Sequence, residues 1–153
     1  MKTMTLAGSA LLPAAAGLLL AAAATAHDTG NPEEALAMLE RAVMEMKVNP
    51  EGAVVKFNKG LEGFQDRDLY VFCVGPDGKL IAHTSQTKLG NDVTKFIDKR
   101  GKEAGKEILQ NAKEGEIAQV KYASSRPGES EVLSKGSYIT KVAGVVCGVG
   151  YYK

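Results

Sequence analysis

The sequence has no tryptophan and only two cysteines and two histidines in 153 residues, and each scarcity removes a class of function. Cys73 and Cys147 stand far apart, so there is no CxxC redox pair, no CxxCH haem attachment and no multi-thiolate zinc motif. His27 and His83 form no HExxH, and GxSxG and P-loop sequences are missing too. Adjacent carboxylates such as Glu33-Glu34 stand at a helix start, where the helix dipole already accounts for them. No residue set is left for catalysis or for a cofactor, and the chain reads as a non-enzyme. Excess charge is also missing: 19 basic residues face 18 acidic ones, too even a balance for a nucleic acid or an anionic membrane as partner.

Long apolar runs are confined to one place. Leu6 to Ala24 follows Lys2 and ends in Ala24-Thr25-Ala26, the pattern of a secretory signal peptide over residues 1–26. Pro13 and Gly17 interrupt the run and make it a poor permanent span; the alternative is an uncleaved anchor. Cleavage near Ala26 leaves residues 27–153, a chain of ordinary size for one domain, exported to the periplasm or secreted. It removes Lys2 and no acid, so the remaining charges balance.

Asn31-Pro32-Glu33-Glu34 is an N-cap, a first-turn proline and an acidic first turn, and predicts a helix over 32–48. Asn49-Pro50-Glu51 repeats that chemistry and starts a shorter helix ending at Gly60, unless the pair is one kinked helix. Asp68 to His83 reads as a β-hairpin around Gly75-Pro76-Asp77-Gly78, in a register that pairs Val74 with Lys79, Phe72 with Ile81 and Tyr70 with His83. Residues 85–101 read as a long loop over the sheet and 102–113 as a short helix. Strands over 116–123, 131–142 and 145–152 complete an α+β domain with a five-stranded antiparallel sheet.

A two-residue turn at Ala143-Gly144 fixes the faces. It puts Lys135, Ser137, Gly148 and Gly150 on one side, and Tyr138 and Cys147 on the other. An exported chain with two cysteines favours a Cys73–Cys147 disulfide; the alternative is two buried thiols. A bridge makes the first and last long strands neighbours and collects Tyr70, Phe72, His83, Lys135 and Ser137 on one face. Gly148 and Gly150 on that face suggest room left for a small, anionic ligand. Lys135 is the candidate cation, Tyr70 and His83 the candidate donors, Phe72 an apolar wall, and Ser137 and Tyr122 further hydroxyls. The opposite face, with Leu69, Val71, Leu80 and Ala82, is apolar enough to bury the amino-terminal helix.

At these residues the chain resembles the type 2 single Cache domains, a family of extracytoplasmic sensors. The resemblance rests on Phe64-Gln-Asp-Arg-Asp-Leu-Tyr-Val-Phe, Gly75-Pro-Asp-Gly-Lys-Leu with Ala82-His83, the Asp98 to Gly101 turn, Lys135 with Tyr138, and the closing Gly148-Val-Gly-Tyr-Tyr. The chain departs from the usual pattern in carrying Thr84 rather than proline after His83, and in having no tryptophan in its last strand. The resemblance implies a PAS-like sheet backed by a long amino-terminal helix, with a ligand between the sheet and the segment after its second strand. It also brings Tyr138 into the candidate site, against the strand parity.

The implied function is that of a free-standing periplasmic sensor-type module that binds a small organic acid or amide. The module passes the signal to a membrane receptor or sensor kinase, and its amino-terminal helix is a candidate homodimer contact. Two other readings are a secreted interaction module without a ligand, and copper binding through an amino-terminal His27, whose amine and imidazole can chelate the metal.

Overall fold

The structure is a computed structural model and describes residues 29–153. The predicted leader and His27 lie outside the described residues. Helix α1 spans Pro32–Val48, and Asn31 opens it with a reciprocal capping box: its side chain accepts from Glu34 N, and the Glu34 carboxylate accepts from Asn31 N. Asn49 separates two helices rather than kinking one. Its N–H closes α1 on Glu45 O, while its side chain accepts from Gly52 N to start α2, Pro50–Lys59. Gly60 ends α2 in the left-handed region (φ 61°), where a glycine carries no steric penalty.

The five predicted strands are present, and a two-residue strand makes six among the described residues. They are β1 (Gln65–Asp66), β2 (Leu69–Val74), β3 (Leu80–Ala82), β4 (Ala118–Ser124), β5 (Leu133–Val142) and β6 (Val145–Tyr152). All pairings are antiparallel; β2, β6, β5 and β4 lie side by side in that order, and β1 and β3 both flank β2. Helix α3 is shorter than expected, Ala104–Asn111, and the preceding loop contains two single 3-10 turns, Gln86–Lys88 and Val93–Lys95.

Ala143 and Gly144 both have positive φ (52° and 76°), and Val142 pairs with Val145, as the two-residue turn requires. The first hairpin departs from its predicted register. Gly75 N bonds Lys79 O, so the turn is one residue longer; Val74 pairs with Leu80, and a bulge then pairs Cys73 with Ala82. Leu80 therefore moves to the face opposite the amino-terminal helices. The two slips cancel by His83, which stays on the Tyr70 side, with ring centroids 4.7 Å apart.

The sheet separates two apolar clusters. On one face Ala35, Met38, Leu39, Ala42 and Met46 of α1, with Phe57 of α2, pack over Leu69, Val71, Val149 and Tyr151. Cys73 and Cys147 are direct cross-strand partners in that layer and are joined as a disulfide. On the other face Phe72, Val74, Leu80, Val120, Ile139 and Val146 meet Ile108 of α3. This second layer is partial, which leaves space beside it for a cavity.

Candidate functional site

The site is built on the β2–β6–β5 ladder. Lys135 of β5 pairs with Tyr152 and lies flat across Gly150, so that its ammonium meets two phenols: Nζ donates to Tyr70 Oη at 3.2 Å and to Tyr152 Oη at 3.3 Å. The same nitrogen stands 4.8 Å and 4.6 Å from the two ring centroids, within cation–π range. Lys135 is 3% exposed, and among the described residues no carboxylate lies within ion-pair distance of it. Burial works against the charge, the tyrosines around it favour it, through hydrogen bonds and ring faces while their phenols are neutral, and the lysine pKa is raised. The result is a buried ammonium at neutral pH without an anion of its own.

The space predicted above Gly148 and Gly150 is not open. A Cβ at 148 would meet the Phe72 ring, and one at 150 would meet Lys135 and Ser137 Oγ. These glycines seat neighbouring side chains of the sheet rather than a ligand. The open space lies further out. A cavity of about 480 Å³ sits between the sheet, the 88–96 segment and α3, lined by Phe72, Leu80, His83, Val93, Phe96, Ile108 and Tyr122, with Lys88, Lys95, Asn91, Asp92 and Ser124 completing it. Its outer wall is held by Gly105, whose N–H bonds Phe96 O and whose missing side chain lets the Val93 carbonyl rest against α3.

Asn58 of α2 holds the end of β3, accepting from His83 N and donating to Ile81 O. His83 is buried, and burial with nearby Lys88 and Lys135 pushes its pKa down to about 4. Its Nδ1 accepts from Ser85 N at 2.8 Å, so the neutral ring carries its proton on Nε2, which has no partner among the described residues. Tyr122 Oη and Ser137 Oγ share a hydrogen bond of 3.0 Å, and burial raises the Tyr122 pKa, keeping it a neutral donor.

Of the sequence candidates, Phe72, His83 and Tyr122 line the cavity, and Tyr70, Lys135 and Ser137 form the layer beneath it. Tyr138 is a correction. It points to the helix face and packs against Tyr151 with ring centroids 5.6 Å apart, because no bulge interrupts β5 to reverse the strand parity. Two residues were missed. Tyr152 is the second phenol on Lys135, and the Val142–Val145 register already placed it opposite that lysine. Arg126 stacks over Tyr152 at 5.1 Å and pairs with Asp68 at 3.2 Å; no strand pattern marks its loop. Asp98 pins the loop outside the cavity to β4 by accepting from Arg100, Lys102 and Ala123 N–H groups, each at 2.8 Å.

Residues 59–153 match the sequence model of the Cache domain family. No curated protein matches the sequence. Among solved structures, a methyl-accepting chemotaxis protein from Vibrio parahaemolyticus superposes with a TM-score of 0.64 at 17% identity, covering 78% of this chain and 86% of that one. A periplasmic sensor domain of a chemotaxis protein gives 0.57 at 20% identity, covering 78% and 88%. A Cache chemosensory domain solved to explain its carboxylic acid recognition gives 0.55 at 20% identity, covering 78% and 86%. At such identities the likeness is one of fold.

Proposed function

The chain belongs to the Cache domain family, and from that premise we propose that it is an extracytoplasmic sensor module that binds a small organic acid and reports it to a membrane partner. One observation carries the reading: a buried lysine ammonium with two phenols and, among the described residues, no carboxylate in ion-pair reach, one layer behind the His83 and Tyr122 wall of a cavity. The phenols support that charge through hydrogen bonds and ring faces, and an anion in the cavity supplies the full negative charge they lack.

The carboxylate accepts from His83 Nε2–H and Tyr122 O–H, both within the field of Lys135. Charge-assisted bonds of this kind gain strength in a partly dry site. An uncharged amide uses the same donors without the Coulombic gain and binds more weakly. The route out is α1, which packs on the site's own strands β5 and β6 and exposes Met44 and Val48 on its outer side for a receptor, a kinase or a second copy.

The test is calorimetric titration of the purified protein with organic acids and the matching amides. Binding of acids, weakened by Lys135→Met, supports the reading; heat with neither class, or equal affinity for acid and amide, overturns it.

A further inference from the structure

We propose that the acid this site takes carries an apolar body, an aromatic ring or a medium-length alkyl chain, rather than being a two- or three-carbon acid. The inference rests on the anion-binding reading above and concerns what the rest of the cavity is for. His83 and Tyr122, the lining residues whose side chains feel the Lys135 charge, bring the donors Nε2–H and Oη–H to the side of the cavity that backs onto that lysine. Lys88 stands near His83 with a side chain that forms no ion pair among the described residues. The other charged pair on the wall is already spent on itself, since Asp92 accepts from Thr94 N at 3.0 Å and faces Lys95 at 3.6 Å.

What remains is apolar. Phe72, Leu80 and Ile108 are buried side chains of the second layer, and Val93 and Phe96 cap them from the loop. Phe96 is 37% exposed, and its ring meets Tyr122 edge-on at 5.7 Å, so one aromatic edge of the wall borders the donor end directly. At the ~30 Å³ each water occupies in the liquid, the cavity holds roughly sixteen waters, far more than acetate or lactate displaces. A short acid at the donor end leaves water against five apolar side chains. An apolar tail removes that water, and this gain scales with the tail.

The expected signature is a slope. In titrations of the full protein with acetate, propanoate, butanoate and hexanoate, affinity rises about fourfold per methylene, the equivalent of ~0.8 kcal/mol for each buried CH₂. Phenylacetate binds at least a hundredfold more tightly than acetate. Phe96→Ala, at a half-exposed position whose loss the fold tolerates, lowers the phenylacetate-to-acetate ratio at least fivefold. Acetate or lactate binding as tightly as hexanoate and phenylacetate overturns this inference and leaves the anion site standing. Failure of every acid to bind overturns the site reading as well, and phenylacetamide matching phenylacetate overturns the anionic part alone.

Discussion

Lys135 reaches the phenols of Tyr152 on β6 and Tyr70 on β2 only because residue 150 is glycine: its Cε and Nζ fill the space that a Cβ there would need. Ser137 Oγ lies 2.8 Å from the same point. Gly150→Ala therefore displaces the lysine and disturbs the Ser137–Tyr122 hydrogen bond together. The expected cost is that of overpacking, about 1–3 kcal/mol, read as a fall in the urea midpoint, together with weaker acid binding. A variant that keeps wild-type stability and affinity shows that Lys135 does not need this seat.

A buried charge without a counter-ion separates function from stability. Replacing Lys135 with methionine keeps the length of the stem and removes the charge with its hydrogen bonds to two tyrosine hydroxyls, which changes stability by no more than about 1–3 kcal/mol. Acid binding, by contrast, falls by roughly 10–100-fold, the worth of an ionic hydrogen bond. A residue serving only the fold gives the opposite pattern, with stability falling in step with affinity. Parallel thermal melts and titrations of Lys135→Met distinguish the two.

His83 makes the site sensitive to acid. Its folded pKa of about 4 lies below the ordinary value of 6.5 because burial, Lys88 and Lys135 all oppose the imidazolium. Between these values the unfolded chain binds a proton that the native protein refuses, so stability present above pH 6.5 is lost as pH falls toward 4. The loss is on the order of 3 kcal/mol across the window. A bound carboxylate supplies the missing negative charge, raises the His83 pKa and flattens the slope. Urea denaturation at pH 7 and pH 4.5, with and without acid, measures both effects, and His83→Gln removes the pH dependence this group contributes.

Much of this was legible in the sequence because caps and turns are local chemistry. Asn31 and Asn49, each followed by proline, marked the starts of α1 and α2, and Ala143-Gly144 fixed the parity that puts Lys135 and Tyr138 on opposite faces. The first hairpin was harder. Gly75 to Lys79 offers several turn closures of similar merit, and the bulge that brings His83 back to the Tyr70 side depends on packing against Asn58, a residue of another element. The glycines misled for a related reason. A strand glycine announces a close approach without saying by what, and here the approaching groups were Phe72 and Lys135 rather than a ligand. Arg126 sits in a loop, where no periodicity reports a partner as distant in sequence as Asp68.

That distant pair links the site to the start of α1. Asp68, 8% exposed, accepts from Gly30 N through Oδ1 at 2.6 Å and from Arg126 through Oδ2 at 3.2 Å. Arg126 in turn covers the Tyr152 ring, whose hydroxyl accepts from Lys135 and donates to Ser125 O at 2.7 Å. Asp68→Ala leaves a buried N–H at Gly30 without its acceptor and leaves Arg126 only the exposed Glu129, 3.8 Å away, as an ionic partner; it is expected to cost about 1–3 kcal/mol. Asp68→Asn keeps an acceptor for Gly30 and loses only the nearer of the two ionic partners of Arg126, a side chain that is partly exposed and therefore screened, so it costs about 1 kcal/mol or less. Hydrogen exchange separates the two contributions: the Gly30 amide exchanges faster in Asp68→Ala but stays protected in Asp68→Asn. Equal exchange in both variants shows instead that the carboxylate's charge, rather than its hydrogen bond, holds the helix start against the sheet.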